Sequence, residues 1–141
     1  MAQKISVVLP AKNEARSIGR VVSGIHNALS DAEIIVIDDG SSDETAAIAT
    51  EHGALVVKHS YSIGNGAAIK TGAQHASGDI IVFMDADGQH DPDDIPRLLK
   101  KLEEGYDMAV GARNKGSQAS IGRGVANGFY NRLASYMANQ P

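Results

Sequence analysis

Short apolar runs alternate with amphipathic segments along this chain. The apolar runs predict five β-strands, at residues 5–9, 34–37, 55–57, 80–84 and 108–110. Between them, apolar residues that recur at three- and four-residue steps predict helices over residues 14–29, 43–52, 64–76, 93–104 and 125–137. The run at 80–84 is the most apolar and is predicted to lie at the centre of the sheet. A loop rich in Gly and Ser is predicted at 116–124.

This alternation of strands and helices predicts an α/β fold, with a Rossmann-like, mainly parallel sheet covered by helices on both faces. The 141 residues, of which 43% are hydrophobic, suffice for one domain with a buried core, and we assign residues 1–141 to it. In sheets of this kind the ligand lies beyond the carboxyl ends of the strands. We therefore expect the functional site at that edge.

Composition and charge narrow the classes of function. A net charge of -4 gives no general attraction to nucleic acid. The absence of Cys excludes disulfides and thiolate metal sites. No apolar stretch approaches the roughly 20 residues that a membrane span requires. We expect a cytoplasmic protein without nucleic-acid partners, for which peripheral contact with the inner face of a membrane stays open.

Polar residues follow four of the predicted strands, at 10–14, 38–41, 85–90 and 111–113. Asp85 and Asp87 are spaced two apart after an extended run, so their side chains can leave on the same side. Two hard oxygen ligands suit Mg²⁺ or Mn²⁺ shared with a phosphate ligand. The same spacing recurs at Asp91 and Asp93, where Pro92 is more typical of a helix start. Carboxylates that directly follow the most buried strand are costly unless a positive group binds them, which favours the metal site at Asp85 and Asp87.

The other polar residues at this edge each allow a plainer interpretation. Asp39 can accept hydrogen bonds from a base or a ribose, or simply belong to a turn. Glu14 can be a first-turn acid, and Arg113 can be a solvated cation or can neutralise a diphosphate. The segment Gly64-Asn65-Gly66 lacks the Gly-Lys-Ser/Thr ending of a nucleoside-triphosphatase loop. Of the five histidines, only His90 falls near the site, and we expect it to be an ordinary loop residue.

Several segments, in this order, resemble glycosyltransferase family 2. They are residues 7–14, 37–45, 64–68, 78–92, 111–113 and 123–135. The likeness is greatest to the branch that moves sugars onto polyprenyl phosphates, the dolichol-phosphate mannose synthase type. It implies the GT-A fold, also called the nucleotide-diphospho-sugar transferase fold. It further implies transfer of a sugar, with inversion, from a UDP- or GDP-linked donor with the help of Mg²⁺ or Mn²⁺.

The resemblance also implies roles for particular residues. The nucleoside pocket would be lined by Pro10, Lys12, Glu14 and Asp39. The diphosphate and the metal would be bound by Asp85, Ala86 and Asp87, with Gln89 as a further metal-site group. The catalytic residues would be Asp87 and Arg113, the latter facing the diphosphate or the acceptor phosphate. Arg123 would contact the acceptor phosphate.

Three alternatives stay open. Members of the family usually continue beyond this length, so we expect a chain that is incomplete at its C-terminus and binds the donor without turnover. A sugar-phosphate nucleotidyltransferase shares the fold, but it carries a Gly-rich basic loop after its first strand, unlike residues 10–14. A receiver-like signalling domain also has acidic residues after two strands, although here a pair of them follows the second strand.

Overall fold

The computed structural model describes residues 3–112 of the chain. In chain order the elements are β1 (Ile5–Ala11), α1 (Ile18–Ala28), β2 (Glu33–Asp38), α2 (Thr45–Glu51), β3 (Leu55–Lys58), α3 (Asn65–His75), β4 (Ile80–Phe83), a 3₁₀ turn (Pro92–Asp94) and α4 (Ile95–Glu103). They belong to one compact unit. None of these helices has the length and apolarity that a membrane crossing requires. The predicted loop at 116–124 and helix at 125–137 lie outside the described residues, so the single domain over 1–141 stays a prediction.

The four strands form one parallel sheet in the order β3-β2-β1-β4. β1 pairs with β2 on one side, where Ala11 lies opposite Asp38, and with β4 on the other, where Val8 lies opposite Phe83. The strand order reverses between β1 and β4, and in doubly wound folds ligands bind in the crevice at that point. The predicted Rossmann-like fold is therefore confirmed. Receiver-type folds have the order 2-1-3-4-5, so the receiver-like alternative is wrong.

Alternate residues of the central strands pack against helices on opposite faces of the sheet. One face buries Val7 and Leu9 together with Val22 of α1. The other face buries Val8 together with Ala68 of α3. Because successive side chains of a strand point to opposite faces, one continuous apolar run serves both. The burial of each large apolar side chain contributes roughly 1.5–3 kcal/mol, so these two layers hold the sheet and fix its carboxyl edge.

Within residues 3–112, β4 pairs with one strand, β1, so the central position predicted for it stays a prediction. Among the described residues it lies at the edge of the sheet beside β1, and all four of its residues are partly exposed. The strands with two neighbours are β1 and β2, in which residues 7–9 and 34–37 are buried. The apolar composition of a strand reports its side chains and not the number of its neighbours, so it does not fix the position of β4 in the sheet.

The predicted strand at 108–110 does not form. This segment pairs with none of the described strands, and Met108 and Val110 are 54% and 47% exposed. A run of three apolar residues holds a strand only where a neighbouring strand pairs with it, as β2 does with residues 55–57. An apolar run of this length was therefore insufficient as a strand signal.

Helix α1 begins four residues later than predicted, at Ile18. Residues 14–17 form a turn in which the carbonyl of Glu14 accepts hydrogen bonds from the amides of Ser17 and Ile18, at 3.1 and 2.8 Å. Just before the turn, Asn13 has a left-handed backbone with φ of 55°. The amide of Glu14 donates to the hydroxyl of Thr45 at 2.9 Å. The turn thus keeps Glu14 beside the carboxyl end of β1 and off the helix.

Candidate functional site

A pocket of about 300 Å³ lies at the carboxyl ends of β1 and β2. Its lining consists of Pro10, Ala11, Lys12, Glu14, Asp39, Ser62, Gly64, Asn65 and Ala68. These residues come from the end of β1, the end of β2 and the start of α3. The four residues that the sequence assigned to a nucleoside pocket therefore lie together, and their role in binding a nucleoside stays a prediction.

The carboxylate of Asp39 is buried and accepts four hydrogen bonds from the chain itself. One oxygen accepts from His59 Nδ1 at 2.8 Å and from the amide of Ile63 at 2.9 Å. The other accepts from the hydroxyl of Ser62 at 3.0 Å and from the amide of Gly64 at 2.9 Å. An ionised carboxylate has about four lone-pair sites, so all of them are in use here. In this structure Asp39 anchors the segment that leads into α3.

These contacts keep Asp39 ionised. Burial raises the pKa of this carboxyl, but the hydrogen bonds from His59 and from residues 62–64 lower it more, from its ordinary 3.8 to about 2. The two backbone amides belong to the residues just before Asn65, the first residue of α3, where a helix favours negative charge. Asp39 is therefore a fixed negative charge at one wall of the pocket.

His59 was missed by the sequence analysis, which placed only His90 near the site. Asp38 pairs with Lys58 in the parallel ladder between β2 and β3, so the residues that follow, Asp39 and His59, lie side by side. His59 also reaches Thr71 of α3, with Nε2 at 2.9 Å from its hydroxyl oxygen. The sequence does show a polar residue after each of the two strands. The sequence does not show the register of β2 and β3, which brings Asp39 and His59 together.

Lys12 lines the pocket and contacts the segment between β3 and α3. Its Nζ donates to the hydroxyl of Ser62 at 3.1 Å, and that hydroxyl donates in turn to Asp39. The same segment lies directly on Gly40, which has a left-handed backbone with φ of +72°. A Cβ at Gly40 would lie 2.6 Å from the amide nitrogen of Ser62. Glycine is required there because any side chain would push this wall of the pocket away.

Asp85 and Asp87 come after β4 and Met84, and they flank the buried Ala86. Both carboxylates are exposed on either side of the buried Ala86, and their common direction stays a prediction. β4 is only half-buried and Asp85 has 58% of its side chain exposed, so burial does not favour a metal site here as we expected. His90 Nε2 lies 3.1 Å from Asp85 Oδ2, so this histidine is a neighbour of the pair.

The two carboxylates of Asp85 and Asp87 suit a divalent cation that is also bound by a ligand. Within residues 3–112, no cluster of three or more His, Asp or Glu side chains is arranged to hold a metal ion. Two exposed carboxylates match the way Mg²⁺ is bound, by one or two carboxylates together with substrate phosphates and water. Asp87 also accepts a hydrogen bond from the amide of Gln89 at 2.9 Å, which orients its carboxylate. The residues therefore fit Mg²⁺ or Mn²⁺ bound jointly with a diphosphate.

A buried hydroxyl joins the two halves of the site. Ser17 occupies the N-cap position of α1 but makes no cap hydrogen bond with its side chain. Its hydroxyl donates instead to the carbonyl of Ala86 at 2.7 Å, and it lies 3.3 Å from the carboxylate of Glu14. The turn after β1 and the aspartate pair after β4 are thereby tied together across the reversal of strand order.

The remaining predicted residues divide into two groups. Asp91 accepts a hydrogen bond from the amide of Asp93 at 2.9 Å and caps the 3₁₀ turn, so the interpretation of this pair as a helix start is confirmed. Arg113 and Arg123 lie outside the described residues, and their contacts with a diphosphate or an acceptor phosphate stay predictions.

The chain is similar in sequence to known proteins. Residues 6–139 match the model of glycosyl transferase family 2. The chain is 38% identical, over 93% of its length, to undecaprenyl-phosphate 4-deoxy-4-formamido-L-arabinose transferase of Klebsiella pneumoniae (strain 342). It covers 43% of that protein, so the chain spans less than half the length of the curated relatives it matches.

Solved structures agree with the sequence match. Glucosyl-3-phosphoglycerate synthase of Mycobacterium tuberculosis is 37% identical with a TM-score of 0.63, over 72% of this chain and 40% of that one. That enzyme has also been solved in complex with Mn²⁺, uridine diphosphate and glucosyl-3-phosphoglycerate. Mannosyl-3-phosphoglycerate synthase of Rubrobacter xylanophilus is 28% identical with a TM-score of 0.64, over 71% of this chain and 36% of that one. The match over residues 6–139 and the shared fold show that the chain belongs to glycosyl transferase family 2.

Proposed function

We propose that this chain is the donor-binding part of an inverting, metal-dependent glycosyltransferase that moves a sugar from a nucleoside diphosphate to a polyprenyl phosphate. One observation carries the proposal, namely that polar residues lie on both sides of the point where the strand order reverses. The pocket follows β1 and β2, while the exposed Asp85 and Asp87 follow β4, the other neighbour of β1. Adjacent strands are only about 5 Å apart, so one nucleoside diphosphate spans both groups.

The residues of the chain divide the work of binding the donor. The nucleoside occupies the pocket beside Pro10 and Glu14, and the positive charge of Lys12 attracts the diphosphate. Asp85 and Asp87 hold a divalent cation together with the diphosphate oxygens. Such a cation, when bound, offsets the charge that builds on the departing nucleoside diphosphate. We assign the same task to Arg113, as a cation of the chain itself.

The names of the curated relatives support a polyprenyl phosphate as the acceptor. A phosphate is already anionic at neutral pH, so its attack on the anomeric carbon needs little help from a general base. Attack from the face opposite the diphosphate inverts the configuration, and we assign Arg123 to the acceptor phosphate. A lipid acceptor implies work at the cytoplasmic face of a membrane. A phosphoglycerate is the second candidate, because a solved relative holds phosphoglyceric acid together with UDP and Mn²⁺.

Calorimetric titration with UDP and with GDP, each with and without Mn²⁺, tests the proposal. We expect one of the two nucleotides to bind, and Mn²⁺ to raise its affinity by at least about tenfold, since the cation links two carboxylates to the diphosphate. The double variant Asp85→Asn with Asp87→Asn should lose this gain. The matched control is Asp91→Asn with Asp93→Asn, which has the same spacing and the same change in charge, and it should keep the gain.

The opposite results are equally clear. If neither nucleotide binds, or if both double variants respond to Mn²⁺ like the parent chain, the chain does not bind a donor in this way. Release of UDP or GDP from the corresponding sugar donor, with a polyprenyl phosphate or a phosphoglycerate added, then separates a transferase from a fragment that binds without turnover.

A further inference from the structure

His59 lies where three elements of the fold meet, and only 9% of its side chain is exposed. Nδ1 faces Asp39 at the end of β2, at 2.8 Å, and Nε2 faces the hydroxyl of Thr71 on α3, at 2.9 Å. The histidine itself follows β3, and its amide donates to the carbonyl of Asp38 at 2.9 Å. Both ring nitrogens and the backbone are therefore engaged, and none of the predicted roles used this residue.

The direction of the first hydrogen bond follows from the charge of its partner. The carboxylate of Asp39 is ionised and can only accept, so His59 Nδ1 carries the proton and donates it. The hydroxyl of Thr71 can donate or accept, so it satisfies Nε2 in either state of the ring. The ring thus bridges β2 and α3 whether it is neutral or charged.

The effect on the pocket passes through Asp39. This carboxylate also holds the amides of Ile63 and Gly64 and the hydroxyl of Ser62, and the residues Ser62 and Gly64 line the pocket. Loss of the histidine would remove a hydrogen bond from a buried charge, which is among the stronger hydrogen-bond contributions in proteins. The segment between β3 and α3 would then lose the orientation of its anchor.

We infer that His59 is a positioning residue for the donor pocket, which holds Asp39 and through it the wall formed by residues 62–64. The ligand in this inference rests on the proposed function, whereas the positioning of the wall does not. The two are therefore tested by separate measurements, one of the wall and one of the ligand.

Two variants of His59 are compared, one that keeps the hydrogen bond to Asp39 and one that loses it. In His59→Asn the side-chain amide nitrogen takes the place of Nδ1 and still donates to Asp39. In His59→Leu the new side chain is similar in volume to histidine but has no hydrogen-bond donor. His75 is the matched control, because it is an exposed histidine on α3 whose Nδ1 contacts a backbone carbonyl, at 2.8 Å, and not a residue of the pocket. The control variants are His75→Asn and His75→Leu.

Hydrogen exchange at the amides of Ile63 and Gly64 reports on the wall without any ligand. We expect exchange to speed up by about tenfold or more in His59→Leu and to stay within about threefold of the parent chain in His59→Asn. The His75 variants should leave both amides unchanged. Equal exchange in His59→Leu and the parent chain overturns the inference, whatever the chain binds.

Titration with UDP or GDP in the presence of Mn²⁺ gives the second readout. We expect His59→Leu to bind about tenfold more weakly and His59→Asn to bind nearly as well as the parent chain, with an unchanged gain from Mn²⁺ in both. If the parent chain binds no nucleotide, the proposed function fails while the exchange measurement still decides the role of His59. If the parent chain binds the nucleotide and both His59 variants bind it as tightly as the parent chain does, the inference about the pocket fails and the proposed function stands.

Discussion

The hydroxyl of Ser17 donates a 2.7 Å hydrogen bond to the carbonyl of Ala86, 69 residues further along the chain. Both residues are buried, and Ala86 separates the two exposed aspartates. A serine at the start of a helix ordinarily caps that helix with its hydroxyl. Here the tertiary structure brings a distant carbonyl close enough for the hydroxyl to bond to it instead. The bond holds the backbone between Asp85 and Asp87 against the start of α1.

We therefore expect Ser17→Ala to lower the free energy of unfolding by roughly 1–3 kcal/mol, because the buried carbonyl of Ala86 loses its partner. The gain in nucleotide affinity from Mn²⁺ should fall as well, since the aspartate pair is no longer held. Urea unfolding and calorimetry measure the two effects. Ser42→Ala is the control, because Ser42 is exposed and its hydroxyl bonds only weakly, at 3.2 Å, to Asn13. Equal losses in the two variants would contradict a special role for Ser17.

The charge of Asp39 should make stability depend on acid. Its pKa in the folded chain is about 2, below its ordinary 3.8, so the ionised form favours folding at every pH above about 4. This contribution, roughly 2 kcal/mol, should disappear as the pH falls from about 4 to 2. In Asp39→Asn the free energy of unfolding should be lower at neutral pH and should change less over this acid range. Urea unfolding at a series of pH values checks it, with the exposed Asp93→Asn as control; parallel curves for Asp39→Asn and the parent chain would refute it.

Glu33 holds a second cluster at the opposite end of the sheet, where it accepts from the hydroxyl of Ser6 at 2.5 Å and from the amide of Ser77 at 3.0 Å. The hydrogen bond from Ser6, followed by that from the Ser77 amide, lowers the pKa of Glu33. We expect Glu33→Gln to cost about 1 kcal/mol of stability and to leave nucleotide affinity within about twofold. Thermal melting and calorimetry on the same sample test both halves. A large loss of affinity would mean that general loosening of the sheet, and not local contacts, sets the pocket.

Gly72 lets α3 approach β1, because a Cβ at this position would lie 2.2 Å from Cγ1 of Val8. Gly72→Ala should therefore cost roughly 1–3 kcal/mol by overpacking the core, although alanine favours a helix. Adding Val8→Ala should cost less in this background than in the parent chain, because the second change makes room for the first. Gly66→Ala is the control, since a Cβ there meets no atom within 4 Å. Additive costs for Gly72→Ala and Val8→Ala would show that the two residues do not compete for space.

The sequence by itself determined the class of fold and the edge of the sheet that carries the site. Apolar runs alternating with amphipathic segments specify strands and helices through local periodicity, and a parallel sheet brings all carboxyl strand ends to one edge. Residues 10–14, 38–41 and 85–90 were therefore predicted at one edge without any knowledge of strand order. The spacing of Asp85 and Asp87 is also local, and the structure leaves both side chains exposed.

Only the tertiary structure decided the order of the strands and the contacts between residues distant in the chain. Strand order arises when separate strands pair, so the order β3-β2-β1-β4 could not be read from the apolar runs. The contact of His59 with Asp39 depends on the register of β2 and β3, and the bond from Ser17 to Ala86 depends on the adjacency of β1 and β4. Periodicity along the chain carries no signal for these relationships, because they arise when separate elements pack against one another.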